Sequence, residues 1–191
     1  MKHTLISPNQ FKTIPWKNGK GNTVELAIND GATLDNFTWR ISMADVVEDG
    51  EFSDFSGYLR NLVLIKGSAI TLEHDKQNTD ALNQYLRFAT FNGGNKTVGK
   101  LPNGPITDFN IITCINTYDV EVFTHLDKTS QPIPDCDLAF VYSLGEPVIV
   151  KSNNFYITVA SNHLLKVDMD KNAEQLSANG GDMIIVCLTQ K

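Results

Sequence analysis

The chain has 191 residues, of which 41% are hydrophobic and 20% charged, and its formal net charge is -6. This composition is typical of a soluble globular protein that buries a sizeable core without disulfides or metal, and it excludes wholesale disorder. Sixteen basic residues against 22 acidic ones argue against a nucleic-acid partner, because nucleic-acid binders usually carry a basic face.

Neither a membrane span nor a secretory signal is predicted. The longest apolar run, Met183–Leu188, has six residues, whereas a bilayer-spanning helix needs about 20. The first residues lack the apolar region of a secretory signal. The three widely spaced cysteines, Cys114, Cys136 and Cys187, fit reduced core thiols better than a disulfide framework or a zinc site. We therefore expect a cytoplasmic protein without a membrane partner.

Most of the chain alternates between apolar and polar residues, which predicts short strands. In Thr23–Ile28 the aliphatic side chains share one face and Glu25 lies opposite. In Thr38–Met43, Arg40 and Ser42 lie opposite an apolar core face. About a dozen such segments, separated by Gly, Asn, Asp and Pro clusters, predict an all-β sandwich or barrel.

Two further patterns refine this architecture. Helical structure is expected only as short turns, for example around Ser7–Phe11 and Thr79–Asn83. An apolar strand, a glycine turn and a second strand occur around Gly67 and again around Gly145, 78 residues later. Because this element recurs in cupin-type jelly rolls, its two copies predict two barrels in one chain.

The predicted division gives a single unit over residues 1–191, built from two approximate halves. Residues 1–128 form the first barrel, on the ligand side, and residues 129–191 form the second, with strands exchanged between the halves. The linker-like stretch Ser130–Asp135, which is rich in proline, lies near the junction.

The sequence contains no local signature of a metal site or a nucleophile. The four histidines are not paired at ligand spacing, so we expect no metal and no cofactor. His74 is expected to face water in the polar segment Glu73–Asp80. Neither a nucleophile elbow nor a complete phosphate-binding loop is present, and no catalytic residue is assigned.

Polar residues within the predicted strands are more informative. Arg60 has the parity of Leu62 and Leu64 in an apolar strand, and Asp108 shares a face with Asn110. A buried arginine is costly unless it has a partner. That partner is either a protein carboxylate, for which Glu25 and Asp108 are the candidates, or the carboxylate of a ligand. The spacing leaves both open.

Four ordered segments carry a recognisable signature: WKNGKGNTVEL at 16–26, FTWRISMA at 37–44, GEFSDFSGYLR at 50–60, and GP followed by DFN within 104–110. Together they resemble the motifs of the HutD/Ves family. Lys20 stands where that family usually has a small residue, and Ser56 where proline is common.

The resemblance implies a bicupin, with two RmlC-like jelly-roll β-barrels and without the usual metal histidines. HutD members accompany histidine-utilisation enzymes, which implies binding of a small acidic metabolite, formylglutamate or a relative, and regulation of flux. Ves members are linked to cold or stress response. The ligand-binding residues expected in the first barrel are Trp16, Asn18, Thr23, Glu25, Arg40, Ser42, Arg60, Asp108 and Asn110.

The leading hypothesis is a metal-free binding or sensor protein for a small carboxylate. Arg40 and Arg60 would hold the anion, Asn18 and Asn110 would add hydrogen bonds, and Trp16 would wall the pocket.

Two alternatives stay open. A metal-free isomerase or hydrolase would use Glu25 or Asp108 as general base. In an interaction scaffold without a ligand, Glu25, Arg40 and Asp108 would neutralise one another. Cupins often dimerise through exposed strands, so a homodimer is considered, although no sequence pattern fixes the oligomeric state.

Overall fold

The computed structural model describes residues 1–16, 21–169 and 174–191. Its contacts divide the chain into two compact units. Unit 1 comprises Met1–Gln10 and Tyr118–Lys191, and unit 2 comprises Phe11–Thr117. A 3-10 helix at Pro8–Gln10 lies within the predicted helical turn. Within the described ranges, no helix is long and apolar enough to cross a membrane.

The described residues form nineteen strands. In chain order they are β1 (Lys2–Ile6), β2 (Lys12–Pro15), β3 (Asn22–Ile28), β4 (Trp39–Val46), β5 (Gly50–Glu51), β6 (Tyr58–Lys66), β7 (Ile70–His74), β8 (Asn78–Leu82), β9 (Phe88–Asn92), β10 (Thr97–Lys100), β11 (Ile106–Cys114), β12 (Tyr118–His125), β13 (Thr129–Pro132), β14 (Leu138–Ser143), β15 (Val148–Lys151), β16 (Tyr156–Val159), β17 (Leu164–Asp168), β18 (Ser177–Gly180) and β19 (Met183–Gln190).

The two units repeat one topology. Unit 2 contains a sheet of order β2-β3-β4-β11-β6-β9 and a second of order β5-β10-β7-β8. Unit 1 contains sheets of order β1-β17-β14-β19-β12 and β13-β18-β15-β16. Strands β4 to β11 therefore pair in the same order as β12 to β19. Each set is an eight-stranded jelly roll, which confirms the predicted all-β bicupin fold.

The contacts divide the chain between Thr117 and Tyr118, whereas the predicted junction lies between residues 128 and 129. Strand β12 pairs with β19 over its whole length, from Tyr118↔Gln190 to His125↔Met183, and so belongs to unit 1. The first ten residues also join unit 1, because β1 pairs with β17.

The predicted glycine turns occupy equivalent places in the two jelly rolls. Gly67 lies between β6 and β7, and Gly145 between β14 and β15, so each turn carries the chain from one sheet of its unit to the other. Gly67 has φ +90, and a Cβ there would lie 2.6 Å from the Pro105 carbonyl oxygen. This turn therefore requires glycine for both its conformation and its packing.

The helical turn predicted at Thr79–Asn83 is wrong. Strand β8 occupies most of this segment and pairs with β7 from Ile70↔Leu82 to His74↔Asn78. Pairing with β7 and burial of Leu82 outweigh the local turn preference, as tertiary context commonly does for short polar segments.

The core of unit 2 lies between its two sheets. Leu62 and Leu64 of β6 pack with Ile70 and Leu72 of β7, and all four are fully buried. The face of the six-stranded sheet that carries Leu62 and Leu64 is thus the inner face of this barrel. Its position determines where the candidate site lies.

Candidate functional site

Cross-strand pairing places most of the predicted site residues on this inner face. Residues directly opposed in an antiparallel pair point to the same side of the sheet. Asn110 is paired with both Leu62 and Ser42, and Asp108 is paired with Leu64. By the same pairing and alternation, the inner face carries Thr23, Glu25, Arg40, Ser42, Arg60, Asp108 and Asn110.

Arg40 is paired within the protein. Its Nε donates a hydrogen bond to Glu25 Oε2 at 2.8 Å, and the side chains are only 6% and 8% exposed. A β-bulge between Glu25 and Ala27 in β3 interrupts the predicted alternation, so that both Glu25 and Leu26 are buried. The partner of Arg40 in the structure is therefore a protein carboxylate, that of Glu25.

Arg60 is also buried, with 4% exposure, but its hydrogen-bond partners are neutral groups. Nη2 donates to Asn110 Oδ1 at 3.0 Å, and Nη1 donates to the Ser53 carbonyl at 3.4 Å. Nε is buried without a hydrogen-bond partner among the described residues. Burial lowers the pKa of Arg60 to about 10, which still leaves the guanidinium charged at neutral pH.

Three aromatic rings surround the Arg60 guanidinium. Its Cζ lies 5.1 Å from the Phe52 ring centroid, 5.4 Å from that of Phe55 and 5.2 Å from that of Phe91. At these distances each ring face attracts the cation. The three rings thus pack around the guanidinium and stabilise its positive charge.

Asp108 lies on the same face and is completely buried. Its Oδ1 accepts a hydrogen bond from Asn110 Nδ2 at 2.5 Å, while Oδ2 has no partner among the described residues. Burial raises the pKa of Asp108 to about 7, although the Arg60 charge and the Asn110 hydrogen bond oppose the increase. This carboxyl group therefore changes protonation near neutrality.

The net charge of the cluster formed by Glu25, Arg40, Arg60 and Asp108 depends on whether Asp108 is protonated. The positive charge of Arg40 contributes to the lowered pKa of Arg60, so the two guanidinium groups interact electrostatically. With Glu25 ionised and Asp108 protonated, the four ionisable groups carry a net charge of +1 (two positive, one negative); with both acids ionised they carry zero. When Asp108 is protonated, one positive charge of the cluster is therefore uncompensated. Arg60 Nε and Asp108 Oδ2, in the same cluster, have no hydrogen-bond partner among the described residues.

Trp16 and Thr23 contact each other through their side chains. Trp16 Nε1 donates to Thr23 Oγ1 at 2.8 Å, and the Trp16 backbone N–H donates to the Gly21 carbonyl at 2.9 Å. A Cβ on Gly21 would lie 3.0 Å from the Trp16 ring, so the ring packs directly on this glycine. Asn18 and Lys20, also named in the sequence analysis, lie outside the described residues.

The groups that surround Arg60 were not among the predicted site residues. Phe52, Ser53 and Phe55 belong to the quoted GEFSDFSGYLR segment, and the aromatic spacing before Arg60 was an available signal. Phe91, in contrast, becomes adjacent to Arg60 only through the pairing of β6 with β9, for which the sequence offers no local cue.

His74 was expected to face water, and this expectation is wrong. It ends β7 and is only 4% exposed. Its Nδ1 lies 2.9 Å from Thr97 Oγ1 and its Nε2 lies 3.1 Å from Asp80 Oδ2. Pairing of β7 with both β8 and β10 supplies these partners, which local polarity does not reveal.

Comparisons with known proteins show to which family the chain belongs. The HutD family model matches residues 8–185. The chain belongs to the HutD family. A relative from Pseudomonas putida, described as an uncharacterised 21.2 kDa protein in the hutC 3′ region, is 39% identical over 146 residues, 76% of each chain. Protein Ves from Escherichia fergusonii is 37% identical over 108 residues, 56% of each chain. These matches place the chain in the HutD/Ves family proposed from its motifs.

Solved structures support both the family and the fold. HutD from Pseudomonas fluorescens SBW25, determined in a formate condition, aligns over 100% of both chains with a TM-score of 0.82 and 28% identity. A bacterial pirin from Escherichia coli in complex with nickel aligns over 99% of both chains with a TM-score of 0.68. At 8% identity, the pirin shows only that the HutD-family chain shares its fold.

Proposed function

We propose that unit 2 binds a small carboxylate metabolite resembling formylglutamate on the inner face of its six-stranded sheet, and that this binding serves a regulatory role. The observation that carries the proposal is a pair of buried, unpartnered polar atoms, Arg60 Nε and Asp108 Oδ2. Buried polar atoms are nearly always hydrogen-bonded in folded proteins. Two such atoms in one charged cluster therefore favour a ligand that supplies their partners.

The chemistry of these atoms favours a carboxylate that carries a second polar group. Arg60 Nε and Nη2 form one edge of the guanidinium, a geometry that matches a carboxylate bidentately. Asp108 Oδ2 can accept an N–H when ionised or donate to a carbonyl oxygen when protonated. An N-acyl amino acid offers all of these groups, whereas a simple carboxylate satisfies only Arg60.

Arg40 has a supporting role in this proposal. Because Glu25 already binds its Nε, Arg40 contributes only positive potential. Arg60 makes the principal contact with the anion. The 3.4 Å contact from Arg60 Nη1 to the Ser53 carbonyl is the longer of its two hydrogen bonds. An anion on the Nε–Nη2 edge would leave this contact in place.

The relatives support the metabolic context. The Pseudomonas putida relative is described by its position in the hutC 3′ region, and the Pseudomonas fluorescens HutD structure comes from a formate condition. Formate is the simplest carboxylate with which to probe this site. We place the binding in the cytoplasm, where the three cysteines would remain reduced.

Isothermal titration with formate, glutamate, urocanate and formylglutamate tests the proposal. We expect saturable binding of formylglutamate at about micromolar to tens-of-micromolar concentration, with glutamate and formate weaker. The absence of heat with every compound, in protein shown to be folded by circular dichroism, would overturn it.

A second candidate is a metal-free isomerase or hydrolase, favoured by one observation. A pKa of about 7 for Asp108 is suited to a general base at neutral pH. Glu25 is the weaker candidate because Arg40 already binds its carboxylate. Turnover of a metabolite that Asp108→Asn abolishes, without loss of binding, would favour catalysis. Binding without turnover would favour the sensor.

A further inference from the structure

One amide side chain joins Arg60 to the buried carboxyl group of Asp108. Asn110 Oδ1 accepts a hydrogen bond from Arg60 Nη2 at 3.0 Å, and Asn110 Nδ2 donates to Asp108 Oδ1 at 2.5 Å. Each of the three residues is at most 5% exposed. The two atoms without a hydrogen-bond partner among the described residues, Arg60 Nε and Asp108 Oδ2, belong to the ends of this chain of contacts. An anion bound to Arg60 is therefore connected to Asp108 through the side chain of Asn110.

The negative charge of a ligand is not balanced when Asp108 is ionised. Arg40 is paired with Glu25 at 2.8 Å, so Arg60 and Asp108 balance each other. One ligand carboxylate beside this second pair changes its net charge from zero to -1 (one positive, two negative). An uncompensated charge in a buried site is costly. A proton on Asp108 returns the net charge to zero.

Asp108 is placed to hold that proton. Its Oδ1 already accepts the hydrogen bond from Asn110, whereas Oδ2 has no partner among the described residues. A protonated carboxyl group donates one hydrogen bond, so a proton on Oδ2 has an oxygen of the ligand as its acceptor. Burial raises the pKa of Asp108 to about 7, and a further negative charge nearby raises the pKa of a carboxyl group again.

We propose that each carboxylate ligand binds to unit 2 together with one proton, which Asp108 takes from solvent. This inference rests on the proposed function. The ligand arrives as an anion, the proton binds to Asp108 Oδ2, and no other bond forms or breaks. Because ligand and proton bind together, affinity for the ligand rises as the pH falls. Acidification therefore strengthens the regulatory signal that the ligand provides.

Charged groups on the strands beside β11 act on Asp108. Arg60 on β6 lowers the pKa of Asp108, whereas Asp45 on β4 raises it. Asp45 is exposed, so water and salt screen its charge. The other charged residues of β3, β4 and β6 are Glu25, Arg40 and Lys66.

The second sheet of unit 2 supplies another group able to take up a proton. His74 packs against Phe91 with ring centroids 4.7 Å apart, and the same Phe91 ring contacts the Arg60 guanidinium. Asp80 lies beside His74, with a distance of 3.1 Å between Oδ2 and Nε2. The experiment therefore has to distinguish a proton on Asp108 from a proton on His74.

Calorimetric titration of formylglutamate in two buffers of different ionisation enthalpy measures the protons taken up per ligand. We expect uptake of about 0.5–1 proton at pH 8 and close to none at pH 5.5, where Asp108 is already protonated. The Kd should be about three- to tenfold higher at pH 8 than at pH 5.5. Saturable binding without proton uptake at pH 8 would overturn this inference and leave the proposed function standing. No binding at either pH would overturn both.

Variants identify the group that takes up the proton. Asp108→Asn should take up no proton and should bind more tightly than the wild type at pH 8, because the amide carries no charge. Asp30→Asn removes an exposed carboxylate and is the matched control, so its proton uptake should equal that of the wild type. Uptake that persists in Asp108→Asn would assign the proton to another group, such as His74, and overturn the inference.

Infrared difference spectroscopy of the wild type gives an independent result if Asp108→Asn fails to fold. Saturating formate at pH 8 is the probe, because ionised formate has no carbonyl band of a protonated acid. The band of a protonated carboxyl group should appear when formate binds. A difference spectrum of the formate-bound protein without that band would overturn the inference.

Discussion

Arg40 and Glu25 form a buried ion pair in which Nε lies 2.8 Å from Oε2. This pair occupies one of the two inner-face arginines, and the proposed function assigns the anion to the other, Arg60. Removal of one member of a buried pair leaves the other charge without compensation. We expect Arg40→Gln to reduce the free energy of unfolding by about 3–5 kcal/mol, measured by urea denaturation.

The exposed pair between Lys100 and Asp49, with an N–O distance of 3.5 Å, provides the control. Lys100→Gln should change the free energy of unfolding by less than about 1 kcal/mol, because exposed pairs contribute little. Equal losses for Arg40→Gln and Lys100→Gln would show that the Arg40–Glu25 pair does not have the structural role assigned to it.

Stability should fall as the pH rises towards and through 7, because of Asp108. Its pKa is raised from 3.8 to about 7, so between these values the folded state retains a proton that the unfolded state has lost. The loss is complete above about pH 8 and amounts to a few kcal/mol at most. Urea denaturation from pH 4 to 9 measures it.

Asp108→Asn removes this titration while keeping the side-chain size. The stability of the variant should not show the fall with rising pH that Asp108 causes, and the variant should be more stable than the wild type at pH 8. The exposed Asp30 supplies the control, since Asp30→Asn should retain the wild-type pH dependence. Identical pH profiles for Asp108→Asn and the wild type would contradict the raised pKa.

The Gly67 turn tests the repeated jelly-roll connection. Gly67 and Gly31 both have positive φ, +90 and +74 respectively, but only at Gly67 would a Cβ meet nearby atoms. Alanine should therefore strain both backbones and cause a clash only at Gly67. We expect Gly67→Ala to be more destabilising than Gly31→Ala by about 1–3 kcal/mol in urea denaturation. Equal effects would exclude the close packing against Pro105.

The aromatic rings should contribute to ligand affinity by holding Arg60. Phe55→Leu removes one ring face while keeping an apolar side chain. It should weaken formylglutamate binding by about 0.5–2 kcal/mol, the value of one cation–π contact, in calorimetric titration. Phe88→Leu is the control because Phe88 is exposed, and it should bind as the wild type does. Unchanged affinity in Phe55→Leu would show that this ring does not position Arg60.

Strand parity predicted a substantial part of the site. Alternation alone placed Asp108 with Asn110, which are joined by a hydrogen bond, and Arg60 with the buried residues Leu62 and Leu64. These predictions succeeded because alternation is a local property of a strand. They concern position, and the role of each residue in ligand binding stays a prediction.

Long-range contacts explain what the sequence could not reveal. The bulge in β3 follows Glu25 and shifts the pairing with β4, so that Ile28 and not Ala27 lies opposite Arg40. The burial of His74 likewise depends on β10, which provides Thr97. A register shift or a remote partner strand leaves no mark in a short window of sequence.

The most direct test of the proposed function compares formylglutamate binding by the wild type, Arg60→Lys and Arg87→Gln in one calorimetric titration series at pH 6. Lysine keeps a positive charge but cannot donate the two parallel hydrogen bonds of a guanidinium to a carboxylate. Arg87 is an exposed arginine and serves as the control. We predict saturable binding for the wild type and Arg87→Gln, and affinity about 10- to 100-fold lower for Arg60→Lys. Equal affinity in all three proteins, or no binding to the folded wild type, would contradict the assignment of Arg60 as the anion-binding residue.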